Sequence, residues 1–355
     1  MLGVDYVEFY VGNAWQAAQY YRSLGFTPIA HLGLETGSRD KVSWAVRQGD
    51  ATFVFTGALG PDSEIADHVR RHGDGVRDVA FTVPDAEETY RLAVRRGAEG
   101  IAEPKQVADD RGEVVTAAIA AYGETIHTLV SRSGYHGDFL PGFAPAGTAP
   151  SPSLGLRSVD HVVGNVELGR MDEWVAFYER VMGFTEMKHF TDRDISTEYS
   201  ALMSKVLWDG KGKIKLPINE PAAGRRKSQI DEYLEYYGSP GVQHIALQAD
   251  DIVATVGAMR ANGVPFLGVP DHYYDDALDR VPEVANLIEA LRGNAILVDS
   301  DDDGYLLQIF TAPLQDRPTF FLEVIERHRS LGFGDGNFKA LFEAIERQQA
   351  LRGNL

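Results

Sequence analysis

The chain repeats itself, and the repeat limits its fold more than any other feature. VDYVEFYVGN at 4–13 aligns with VDHVVGNV at 159–166, and each precedes a helical stretch ending in Gly-Phe, Gly25-Phe26 and Gly183-Phe184. GVRDVAF at 75–81 aligns with GVQHIAL at 241–247, each followed by a helical stretch and a glycine turn, RRGAEG and ANGVPF. IHTLVSR at 126–132 aligns with FLEVIER at 321–327. Each half thus contains two strand-helix-strands units, so four related units run along the chain. Such units bury their apolar faces by packing on one another.

Alternation and periodicity place the elements. In the first half they predict strands Val4–Val11, Ser43–Val46, Ala51–Thr56, Val76–Val83, Val114–Ala121 and Thr125–Ser131, and helices Ala14–Leu24, Ser63–His72 and Ala86–Arg96. Between Gly134 and Ser158, four prolines with several Gly and Ser mark an interdomain connection. The reading is therefore two domains, 1–150 and 151–355. Near the C-terminus come strands Tyr305–Thr311 and Thr319–Glu326, then three spaced glycines and a helix Asn337–Leu351. That helix has Phe338, Leu341, Phe342 and Ile345 on one face.

Composition narrows the chemistry. With 34 basic against 52 acidic residues the net charge is −18, which argues against nucleic acid or an anionic membrane as partner. There is no cysteine, so disulfides and thiolate metal sites are excluded and any metal must use His, carboxylate or water. The N-terminal stretch lacks the basic and apolar regions of a signal peptide, and no apolar run approaches bilayer length, so a cytoplasmic location is expected. The acidic run Asp299–Asp303 lacks EF-hand spacing and reads as a solvated turn.

The strand TFFLEVIER carries one carboxylate, Glu323, in an apolar run, where burial is costly unless a cation or hydrogen bonds hold it. The repeat alignment matches Glu323 with Thr128, His161 with Tyr6 and His244 with Asp78. The second half therefore presents two imidazoles and a carboxylate from three strands, while the first has no comparable set. Two His and one carboxylate with open positions is the non-haem Fe(II) oxygenase arrangement, although zinc or manganese would use similar ligands. The N-terminal domain is expected to hold no metal.

The paired modules resemble the vicinal oxygen chelate superfamily. The resemblance implies an α+β fold of two domains, each with paired βαβββ modules curled into a half-open β-barrel. EYSALMSKV (198–206), KLPINEPA (215–222), KSQIDEYL (227–234), GVQHIAL (241–247), LLQIFTAPLQDRPTFFLEVIER (306–327), GFGDGNFKALFEAIE (332–346) and FLPGFAP (139–145) resemble the 4-hydroxyphenylpyruvate dioxygenase family. That resemblance implies Fe(II) on His161, His244 and Glu323, which carry the catalysis. It implies that 4-hydroxyphenylpyruvate and dioxygen give homogentisate and carbon dioxide in tyrosine catabolism. It places Ser204, Asn219, Gln229 and Gln308 as polar groups around the substrate. Phe310, Phe321, Phe333, Asn337, Phe338 and Leu341 become the pocket wall and cover, with the last helix over the barrel mouth. Phe321 shares the face of Glu323, and Phe310 that of Gln308, by strand alternation. Gln243 adjoins His244 and should point away on a regular strand. A homo-oligomer is expected.

Two other readings follow from the same residues. Hydroxymandelate synthases share fold, metal and substrate, but carry an aliphatic residue where this chain has Asn219; that asparagine and the QDRPT loop favour the dioxygenase. A non-catalytic aromatic-binding protein on this scaffold would have disrupted ligand positions, and all three are intact.

Overall fold

A computed structural model of the chain describes residues 1–191, 201–222 and 224–354. Residues 198–200, the start of the EYSALMSKV match, lie outside the described residues.

Four βαβββ modules are present. The first comprises β1 (Gly3–Tyr10), α1 (Ala14–Ser23), β2 (Thr27–Leu32), β3 (Lys41–Gln48) and β4 (Ala51–Ala58). A connecting helix α2 (Glu64–His72) leads to β5 (Gly75–Thr82), α3 (Ala86–Arg95), β6 (Gly100–Asp109), β7 (Gly112–Ala120) and β8 (Ile126–Ser131). After a short β9 (Ala144–Pro145) the third module follows: β10 (Leu156–Asn165), α4 (Met171–Phe177), β11 (Thr185–Phe190), β12 (Ala201–Trp208) and β13 (Lys215–Ala222). Helix α5 (Gln229–Tyr237) leads to β14 (Gly241–Ala249), α6 (Ile252–Ala261), α7 (His272–Arg280), α8 (Ile288–Asn294), β15 (Leu297–Ser300), β16 (Tyr305–Phe310) and β17 (Phe321–His328). The chain closes on α9 (Phe338–Arg352).

Local chemistry sets several helix ends. The side chains of Asn13, Asp85 and Asp251 accept the backbone N–H three residues on, capping α1, α3 and α6. After the helices of the first and third modules, Gly25 and Gly183 turn the chain at positive φ, +87° and +73°, where a side chain would be strained.

Among the described residues the strands form two sheets, ordered β6-β7-β8-β5-β1-β4-β3-β2-β9 and β11-β12-β13-β10-β14-β17-β16-β15. The first strands of paired modules lie antiparallel at each centre, β1 on β5 and β10 on β14. Register supports the repeat alignment. Tyr6 opposes Ala80 as His161 opposes Ala246, and Leu129 lies beside Phe81 as Val324 lies beside Leu247. Thr128 and Glu323 are therefore equivalent. Strands β2 and β6, unseen in the sequence, are peripheral; β6 is exposed almost throughout and has no apolar face to reveal it.

The two concave faces are filled differently. In the first sheet the 134–158 connection folds back and plugs the interior. Phe139 is buried edge-on against Tyr6, with centroids 5.3 Å apart, and Leu140 and Phe143 pack beside it. In the second sheet seven strands, β11 to β16 in sheet order, line a single cavity. Laid flat, seven strands would span about 29 Å at their usual spacing, so the sheet must curl. Elsewhere the core is continuous between the halves, with Phe9 edge-on to Phe320 at 5.0 Å. Among the described residues no helix is long and apolar enough to cross a membrane.

Candidate metal centre

His161 on β10, His244 on β14 and Glu323 on β17 come from adjacent strands and meet at the cavity floor. Glu323 Oε2 lies 3.2 Å from His161 Nε2 and 3.5 Å from His244 Nε2. All three residues are buried. Burial pushes the Glu323 carboxyl up, but the two imidazoles outweigh it and hold it at about 2.

The groups behind the ligands fix which nitrogen faces inward. His161 Nδ1 lies 2.7 Å from Asp160 Oδ1, and His244 Nδ1 lies 3.1 Å from Gln243 Oε1. A carboxylate accepts only, so Nδ1 of His161 donates to Asp160, and in the neutral ring Nε2 presents a lone pair. The Gln243 oxygen sets the same tautomer at His244. With both rings neutral, two lone pairs and a carboxylate oxygen converge within bonding reach of one point, which calls for a cation there: a proton on His161, which burial opposes and Glu323 and Asp160 favour, or a metal ion. The donor set therefore fits a divalent metal, with imidazole–carboxylate outer contacts of the kind that orient metal ligands.

Asp160 is itself held. Arg327 grips both its oxygens and Lys215 Nζ adds a contact at 3.3 Å. Burial raises this carboxyl, but Arg327 and His161 bring it well below its usual range. Asp160 sits at a register shift in β10, between Val159 and His161, where one extra residue opposes β14. That bulge lets neighbouring side chains serve one site instead of opposite faces.

Above the three candidate ligands the cavity opens, with about 600 Å³ of empty space out to its mouth. Ser204, Asn219, Gln229 and Gln308 line it, as do Phe310, Phe321, Phe333, Phe338 and Leu341. Phe321 stacks on His244 at 4.7 Å and Phe333 meets His161 edge-on at 5.2 Å. Asn219 Nδ2 donates to Asn165 Oδ1 at 3.3 Å, which orients its amide. Gln308 Oε1 is buried without a hydrogen-bond partner among the described residues. Gly334 lies against it: a Cβ there would come within 2.3 Å of Gln308 Oε1.

Two sequence expectations are corrected. Asn337 does not line the cavity; it is buried behind it and accepts from Tyr273 Oη at 2.5 Å. Its place in the Asp335–Asn337 turn before α9 aims it away. Gln243, expected to point away, lines the cavity and donates to Gln229 Oε1 at 3.3 Å. A second register shift explains this, because Val163 opposes His244 while the next residue, Gly164, opposes Val242. Periodicity cannot reveal a bulge. Phe190, Leu202 and Val206, also in the wall, were not singled out either, and Phe342, also there, was placed only on the apolar face of the last helix.

The matched trio of the first half also converges, as a hydrogen-bonded cluster. Tyr6 Oη donates to Asp78 Oδ2 at 3.3 Å and Thr128 N to Asp78 Oδ1 at 2.9 Å.

Comparison with known proteins bears on these features. The family described as "Hydroxyphenylpyruvate dioxygenase, HPPD, N-terminal" matches residues 1–140, and the Glyoxalase/Bleomycin resistance protein/Dioxygenase superfamily matches residues 158–309. The 4-hydroxyphenylpyruvate dioxygenase of Yarrowia lipolytica is 47% identical, covering 99% of this chain and 93% of that protein. The protein of the same name from Dictyostelium discoideum is 47% identical over the full length of both. Among solved structures, a mutant 4-hydroxymandelate synthase from Streptomyces coelicolor superposes with a TM-score of 0.88 at 35% identity, covering 98% of this chain and 100% of that one. By sequence over its whole length, as by the fold and the cavity it encloses, this chain belongs to the 4-hydroxyphenylpyruvate dioxygenase family.

Proposed function

We propose that this protein is a metal-dependent dioxygenase that converts 4-hydroxyphenylpyruvate and dioxygen to homogentisate and carbon dioxide, in tyrosine catabolism. His161, His244 and Glu323 would hold the metal, which we assign as Fe(II). We also propose a cytoplasmic location and a homo-oligomeric assembly. The observation that carries the reading is the convergence of those three ligand atoms beneath an aromatic cavity ringed by amides. Bound there, iron would supply a chelating position for the 2-oxo acid and a site for activating dioxygen.

The protein's own residues hold and enclose the substrate. Phe321, stacked on His244, and Phe310, turned 73° to it with centroids 6.2 Å apart, form an aromatic corner for a substrate ring. The unpartnered Gln308 oxygen is an acceptor suited to the phenolic hydroxyl, since leaving it unpaired costs about 1–3 kcal/mol. The Gln229–Gln243–His244 chain ties a pocket amide to the orientation of a ligand imidazole. Phe338 and Leu341 from α9 close the mouth, keeping bulk water from the reacting carbon.

A synthase that hydroxylates the benzylic carbon is the second reading, favoured by the structural match above. Asn219 in the wall supports the dioxygenase instead. The test is incubation with Fe(II), ascorbate, oxygen and 4-hydroxyphenylpyruvate, followed by chromatography. Homogentisate as the main product supports the proposal, and hydroxymandelate overturns it.

A further inference from the structure

A second group of metal-ligand residues lies in the first half, where the sequence leads one to expect no metal, and it uses none of the matched positions Tyr6, Asp78 and Thr128. His68 and His72 stand four residues apart on one face of α2, with rings 4.6 Å apart. Glu124, in the turn between β7 and β8, reaches across to them. Its Oε2 lies 3.1 Å from His72 Nε2 and 3.6 Å from His68 Nδ1. One ligand atom from each of the three residues lies within 4.8 Å of the others.

Hydrogen-bond accounting at this cluster leaves a gap. His72 Nδ1 meets the backbone carbonyl of Tyr237 at 2.5 Å. A carbonyl only accepts, so Nδ1 carries the proton of the neutral ring. Nε2 is then a lone pair facing a carboxylate oxygen, acceptor against acceptor. His68 is 1% exposed, and neither of its ring nitrogens makes a hydrogen bond among the described residues. A buried imidazole with both nitrogens unpaired is costly.

We propose that His68, His72 and Glu124 bind a zinc ion, in a structural site separate from the catalytic centre. Two imidazoles and a carboxylate suit zinc, with water as the fourth ligand. The remaining groups around the cluster fit this use. Arg71 pairs with Glu124 Oε1, leaving Oε2 for the metal. Arg77 is engaged by Glu64 and by the backbone carbonyl of Glu124. Glu124 is 30% exposed, which provides an entry path. The Tyr237 carbonyl behind His72 is the outer contact that metal-bound imidazoles use.

A proton on His72 is the competing way to satisfy the same atoms. Burial opposes it and lowers the His72 pKa; the Tyr237 carbonyl works the other way, and Arg71, Arg317 and Arg77 add to the lowering. Burial likewise pushes His68 down to about 3, with His72, Arg77 and Arg71 contributing. The arginines oppose a dication too. A proton, however, gains one bond here and pairs nothing on His68, whereas a metal gains three bonds and uses every unpaired acceptor.

The site would fasten the two halves together. Its Tyr237 contact belongs to α5, the helix that carries Gln229. Arg317, from the loop before β17, donates to the Arg70, Arg71 and Tyr236 carbonyls beside it.

The test is zinc stoichiometry by isothermal titration on the full chain, with Glu323→Ala used to disable the catalytic triad. Wild type should bind two equivalents and Glu323→Ala one. Adding His68→Gln, or the milder surface change Glu124→Gln, to Glu323→Ala should remove the last equivalent. Zinc should raise the Tm of Glu323→Ala and leave that of the double variants unchanged. A folded Glu323→Ala protein that binds no zinc would overturn the proposal. So would retention of its zinc when His68→Gln and Glu124→Gln are each added.

Discussion

Arg327 grips Asp160 with two nitrogens, Nε to Oδ2 at 2.7 Å and Nη2 to Oδ1 at 2.8 Å, across 167 residues of sequence. The repeat supplies an internal comparison for this pair. Arg132 and Asp5 occupy the equivalent positions in the first half and also pair, again at a register shift in the first strand. The pair is thus a building element of the double module. Only the second copy has a histidine after its aspartate, so only there does the clamp orient a proposed metal ligand.

The comparison yields the first prediction. Asp160→Asn and Asp5→Asn should both lower Tm, because each leaves a partly buried arginine short of its carboxylate. Only Asp160→Asn should weaken Fe(II) binding, by roughly 10- to 100-fold, the usual cost of losing an outer-shell partner. Unfolding curves and iron titrations of both variants check it; equal loss of iron affinity in both would contradict it.

The second prediction concerns pH. Burial pushes the Asp78 carboxyl up to about 7, whereas an unfolded aspartate titrates near 3.9. Between those values the folded protein holds a proton that the unfolded chain releases. Stability from this group is therefore present at low pH and lost as pH rises through about 7, with a slope of up to about 1.4 kcal/mol per pH unit. Asp78→Asn should remove that loss, so its stability relative to wild type should rise from pH 4 to pH 7. Denaturant unfolding across that range checks this, and iron content should not change.

Product choice gives the third. Asn219→Ile removes a pocket amide worth roughly 1–3 kcal/mol when paired. That is enough to shift a branching ratio about ten- to a hundredfold. The variant should keep iron and decarboxylation while part of the product moves to hydroxymandelate or hydroxyphenylacetate, as read by chromatography. An unchanged ratio would remove Asn219 from the account.

The fourth concerns α9, whose Phe338 packs edge-on to Phe190 at 4.9 Å over the cavity and whose Arg352 pairs with Glu232 on α5. Truncation before Phe338 should open the cavity to water and raise oxygen consumed per product formed. A folded truncated protein with unchanged coupling would contradict the covering role.

Much of this was readable in the sequence because the fold is written twice. Matching the halves aligned His161, His244 and Glu323 with Tyr6, Asp78 and Thr128 before any strand was seen, and the register agrees. What stayed hidden has local causes. Gln243 turns into the cavity through a bulge, β6 has no apolar alternation, and Phe139 and Phe143 plug the first barrel from a stretch whose prolines mark only a connection. The His68–His72 spacing was visible, but Glu124 joins it through tertiary folding alone.

The central claim is tested most directly by turnover of 4-hydroxyphenylpyruvate with Fe(II) under isotopically labelled dioxygen, with mass analysis of the product. The account predicts homogentisate carrying both labelled oxygen atoms from wild type and no product from Glu323→Ala. Unlabelled homogentisate, hydroxymandelate as the main product, or full turnover by Glu323→Ala would contradict it.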